Sequence, residues 1–169
     1  TPVVGVTGFS STDYYEGSVN DGYGADPQFT AAVLFAPGRD SSGTDAVLFS
    51  NTQEPDGGWE IGITKNAEGL VYSRLFDKVV VSTLTAAAVV GCSIPAFAVL
   101  TRTGADAGQF FVNNSLIGSF TAATESFVAG PLAIGMSRRN AVVGQPAIGS
   151  LVMSAYFEVG TPADTSPQY

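Results

Sequence analysis

The chain has 169 residues and a mass of 17.3 kDa, the size of one ordinary domain. Hydrophobic residues make up 45% and charged residues only 13%, which excludes intrinsic disorder, and no run reaches the ~18 apolar residues of a membrane span. The absence of His and the single cysteine, Cys92, exclude imidazole catalysis, His metal sites and an intrachain disulfide, while a net charge of −8 argues against nucleic acid as a partner.

Gly and Pro punctuate the whole length rather than one linker, and the segments between them read as short strands. Phe9–Glu16 is an expected N-terminal edge strand. Phe29–Phe35 (FTAAVLF) lies between Pro27 and Pro37-Gly38 and is expected to be a buried strand. Ala46–Ser50 (AVLFS) follows. In Trp59–Thr64 (WEIGIT), Trp59, Ile61 and Ile63 alternate against Glu60, Gly62 and Thr64, so Trp59 is expected in the core. The turn cluster Lys65–Gly69 joins it to Leu70–Phe76 as a hairpin. Ser82–Val90 (STLTAAAVV) mixes helix-favouring alanines with strand-favouring Thr and Val, and both readings stay open.

Phe97–Arg102, Gln109–Val112 and Ser115–Phe120 are the next strands. The last two are joined at Asn113-Asn114, a pair that tolerates left-handed dihedrals and suits a two-residue turn. Pro131–Met136 and Ile148–Phe157 complete the set. Many short strands without a clear helix predict an all-β, antiparallel two-sheet sandwich.

The acids are unevenly placed. Residues 1–60 hold nine acids and one base, residues 61–169 six of each, so the whole net charge sits in the first third. Solubility explains this plainly; a cation site or an acidic docking face is the sharper reading.

The order of the pieces carries more than their composition. A W-x-I-x-I strand (Trp59–Ile63) precedes an apolar strand ending in Thr-Arg-Thr-Gly (Phe97–Gly104). Then come FVNNSLIGS (Phe111–Ser119), PLAIG (Pro131–Gly135) and a closing strand with alternating apolar residues (Ile148–Phe157). This series, over roughly residues 9–160, resembles the laminin-G-like, concanavalin A-like jelly roll. Asn114 stands where that family usually has the turn Gly, and Ser93-Ile94-Pro95-Ala96 replaces a common Trp. The resemblance implies one domain over 1–169, with a core of about 9–160 and terminal arms 1–8 and 161–169. It implies no single function, because the architecture serves lectins, hydrolases, adhesion modules and viral proteins alike.

Four functions can be weighed on this frame. Glycan hydrolysis needs two carboxylates held about 5–9 Å apart; no strand carries two acids at that spacing, Glu60 is alone in its own, and the protein is expected not to be an enzyme. Ca²⁺, which laminin-G-like modules often bind, would use loop acids such as Asp21 and Asp26 in NDGYGADP (Asn20–Pro27). A sugar would use Tyr14, Tyr15 and Tyr23 as aromatic platforms beside Asn20. Assembly would use the polar, Pro-rich tail TPADTSPQY through Thr161, Pro162, Pro167 and Tyr169.

The leading expectation is a non-catalytic structural or attachment subunit of a larger assembly or homo-oligomer, as in virion decoration proteins that resemble this family. A carbohydrate-binding module, with or without calcium, is the alternative. No basic segment followed by an apolar run opens the chain, so no secretory leader is expected in it. A virion-surface or extracellular setting without membrane insertion is expected.

Overall fold

The computed structural model describes residues 7–10, 13–19, 28–36, 45–53, 57–64, 70–75, 78–85, 95–104, 107–120, 131–137 and 151–159. They form eleven strands: β1 (Tyr15–Val19), β2 (Phe29–Ala36), β3 (Ala46–Gln53), β4 (Gly57–Ile63), β5 (Leu70–Leu75), β6 (Lys78–Thr85), β7 (Ala96–Arg102), β8 (Gly108–Val112), β9 (Ser115–Phe120), β10 (Pro131–Ile134) and β11 (Leu151–Val159). Two antiparallel sheets result. One has six strands in the order β1-β10-β3-β4-β5-β6; the other has five, in the order β11-β2-β7-β8-β9. Among the described residues there is no helix, hence none long and apolar enough to cross a membrane.

Period-2 alternation builds the core between the sheets. The five-stranded sheet contributes Phe29, Val33, Phe35, Leu100 and Phe110. The six-stranded sheet contributes Leu48, Phe49, Trp59, Ile61 and Leu75. A bulge between Val47 and Phe49 breaks the simple alternation, and both Leu48 and Phe49 reach the interior. Trp59 is fully buried, as its alternation with Ile61 and Ile63 predicts. Its ring lies edge-on to Phe49 (centroids 4.9 Å apart) and stacks on Phe157 (5.4 Å) and Phe29 (5.9 Å).

Both predicted hairpins form, with β4 pairing β5 and β8 pairing β9. Asn113 and Asn114 take φ of 47° and 68°, the left-handed pair that a type I′ turn requires. Asn113 also ties the turn to β7, because its Oδ1 accepts the Phe97 N–H at 2.9 Å. Strand pairing resolves the ambiguous segment at its start: β6 runs to Thr85 against β5, and residues 86–94 lie outside the described set.

Two expectations need correcting. The N-terminal edge strand spans Tyr15–Val19, not Phe9–Glu16. Phe9 instead plugs the core at 3% exposure, and its ring rests on Gly135. The strand expected over Pro131–Met136 stops at Ile134, because Gly135 turns to a φ of 83° and its N–H bonds Leu48 O at 3.0 Å.

Candidate functional site

Strand order decides where the sandwich is closed and where it is open. On one side β6 lies against β9. On the other, β1 and β10 face β11 across a cleft of about 390 Å³. Phe49 and Phe157 supply aromatic lining and join it to the Trp59 cluster; Leu132 and Ile134 line it from β10. Tyr15 and Glu16 of β1 complete it.

Tyr15 sits opposite Ile134 in the ladder and is 59% exposed. Glu16, opposite Ala133, is also exposed. A tight local turn leads into this strand: Ser10 N–H bonds Asp13 O at 3.0 Å, and Ser10 Oγ donates to Asp13 Oδ2 at 2.6 Å. Tyr14 is half-buried, so of the two adjacent tyrosines it is Tyr15 that offers a ring to solvent. Asn20, Asp21, Tyr23 and Asp26 lie outside the described residues, as do Thr161, Pro162, Pro167 and Tyr169. Among the described residues no group of three or more Cys, Asp or Glu is placed to hold a metal ion.

A second polar feature was not legible in the sequence. Glu60 is fully buried, on the face of β4 that points away from the core. Its carboxylate accepts Tyr72 Oη at 3.1 Å, Arg74 Nε at 3.0 Å and Ser137 Oγ at 3.2 Å. Its backbone carbonyl accepts Ser73 Oγ at 3.2 Å. Ser50, paired with Glu60 across the ladder, donates to Met136 O at 2.8 Å. Burial pushes the Tyr72 phenol well above its ordinary value of 10, and the negative charge of Glu60 pushes it further. Three side-chain donors offset the cost of taking the carboxylate out of water. The arrangement is saturated: each carboxylate oxygen has a partner. It locks β4, β5 and the residues after β10 together.

No family model matches the chain, and no curated protein matches it in sequence. Solved structures do match in shape. The CBM40 module of the Ruminococcus gnavus IT-sialidase superposes with a TM-score of 0.60 at 17% identity, covering 95% of this chain and 91% of that one. The same module bound to α2,3-sialyllactose gives 0.57 at 18%, covering 92% and 88%. Domains LG4-5 of the mouse laminin α1 chain give 0.63 at 13%, covering 91% of this chain and 43% of the laminin fragment.

The chain has the concanavalin A-like jelly-roll fold. The match extends over nearly all of it, and the two-sheet order described above is the architecture that the FVNNSLIGS and PLAIG segments foretold. At these identities the likeness shows the fold.

Proposed function

We infer that this jelly roll is a non-catalytic carbohydrate-binding module that takes a sugar ring on Tyr15 at the mouth of the cleft between β1–β10 and β11. The observation that carries the reading is the Tyr15 ring, 59% exposed on an ordered strand beside a cleft of about 390 Å³. A sugar has apolar ring faces and hydroxyl edges. It needs an aromatic platform, which Tyr15 supplies in the row of Ile134 and Phe49, while Glu16 points to the opposite face with Ala133 and Ser50. The solved CBM40 modules of like fold include complexes with α2,3- and α2,6-sialyllactose, which supports a sugar as the ligand class.

The test is a glycan-array screen followed by titration of the best ligand against wild type and Tyr15→Ala. Binding that falls about tenfold in the variant, with the fold intact, supports the assignment. Wild-type protein that captures no glycan, or a variant that binds as tightly as wild type, overturns it. Repeating the titration in EDTA tests whether calcium at Asp21 and Asp26 takes part. The assembly reading, including a virion surface, draws on a tail that lies outside the described residues, and the cleft favours the carbohydrate reading over it. An extracellular or surface setting follows from that function.

A further inference from the structure

The five-stranded sheet has an outer face that the cleft does not use. The ladders connect Tyr156 to Ala32, Ala32 to Val99, Val99 to Phe111 and Phe111 to Leu116. One apolar row therefore crosses all five strands on the side away from the core, whose members are the alternate residues Ala31, Ala98, Leu100 and Phe110. Its two ends stand up, with Tyr156 51% and Leu116 53% exposed, while Ala32 and Val99 lie low between them. The row has the profile of a shallow trough.

A second row runs parallel to it. Glu158, Thr30, Thr101, Gln109 and Ser119 are joined by the same ladders, and every one of them is polar. On the other side of the trough, Ser154, Leu34 and Phe97 follow in register. The one charged side chain in these three rows is Glu158, and it accepts a hydrogen bond from Tyr156 Oη.

We propose that this face is a second carbohydrate surface, which seats an extended, uncharged oligosaccharide along the Tyr156–Leu116 row. Charge selects the ligand. A face with a single carboxylate, on a chain of net charge −8, offers nothing to a polyanion. Size selects it too. With five strands about 4.8 Å apart, the row runs about 19 Å from Tyr156 to Leu116, a span that suits an extended ligand. Chemistry agrees: pyranose faces lie on Tyr156, Phe111 and Leu116, while hydroxyls meet Thr30, Gln109 and Ser119, Thr101 between them being buried. The surface is separate from the cleft and does not need Tyr15.

The experiment is isothermal titration of neutral β-1,4-linked glucose, xylose and mannose oligosaccharides, from disaccharide to hexasaccharide. Wild type is compared with Tyr156→Ala, Gln109→Ala and Tyr15→Ala. Tyr156→Ala removes an exposed ring, and an unchanged melting temperature certifies the fold. The proposal expects affinity to rise with chain length, to fall at least fivefold in Tyr156→Ala and Gln109→Ala, and to survive in Tyr15→Ala. Loss of all binding in Tyr15→Ala alone overturns the second surface and leaves the cleft reading standing. Hexasaccharide binding by Tyr156→Ala at wild-type affinity overturns it, as does a wild type that binds none of the series. Self-association in light scattering that Tyr156→Asp abolishes would assign the face to a second copy and also overturn it.

Discussion

Tyr72 and Glu60 hold each other on the buried outer face of the six-stranded sheet, with Tyr72 Oη donating to Glu60 Oε1 at 3.1 Å and neither side chain more than 1% exposed. Arg74, two residues along the same strand as Tyr72, donates to the same oxygen at 3.0 Å. Removing the carboxylate leaves three donors without an acceptor. Glu60→Ala is expected to cost about 3–5 kcal/mol and Glu60→Gln about 1–3 kcal/mol, measured by urea denaturation. Equal and negligible losses would show that the cluster is not structural.

The same pair sets an alkaline limit on stability. Burial first, and Glu60's charge second, hold the Tyr72 phenol protonated well above its ordinary value of 10. In the unfolded chain the phenol loses its proton near 10. Above that pH the folded state binds the proton and the unfolded state does not. The contribution is complete below pH 10 and is lost as pH rises, with a slope of up to about 1.4 kcal/mol per pH unit from this residue. Melting temperatures between pH 8 and pH 11 should fall less steeply in Tyr72→Phe than in wild type. Parallel curves would remove Tyr72 as the cause.

Gly135 ends β10 under the ring of Phe9. Its φ is 83°, and a Cβ there would overlap the Phe9 ring atoms. Gly135→Ala therefore meets both backbone strain and overpacking, and a loss of about 2–4 kcal/mol in chemical denaturation is expected. Phe9→Ala should itself cost about 3–5 kcal/mol, because it empties a core position that is 3% exposed. The double variant should fall short of the sum, since one substitution removes the atoms the other collides with.

Asn114 holds a φ of 68° at the second central position of the β8–β9 turn. Glycine meets no steric penalty there, so Asn114→Gly should leave stability unchanged or raise it by a few tenths of a kcal/mol. Asn114→Val should lower it by about 1–2 kcal/mol, because a β-branched residue resists the left-handed region. Equal melting temperatures for the two variants would show that the turn relaxes to another type.

The sequence by itself determined the elements that depend on near neighbours. Alternation in Trp59–Ile63 marks the inward face of β4, since side chains of a strand point to opposite sides in turn. Asn113-Asn114 marks its turn, because the left-handed backbone selects those residues locally. The ordered motifs from Phe97 to Phe157 pointed to the jelly roll by their resemblance to that family and not by a local rule.

Tertiary structure alone decided what covers each face and which strands become neighbours. Alternation put Glu60 on the side opposite Trp59, and a polar residue there reads as solvent-exposed. Tyr72 and Arg74, from the neighbouring strand, and Ser137, 77 residues away, bury it instead. Nothing local separates Tyr14 from Tyr15; their exposure depends on where β1 meets β10. The row from Tyr156 to Leu116 draws on four separate stretches of chain, and only strand register places them in line. A period of two residues tells a side chain which way to point. What it meets there is fixed by the packing of the whole chain.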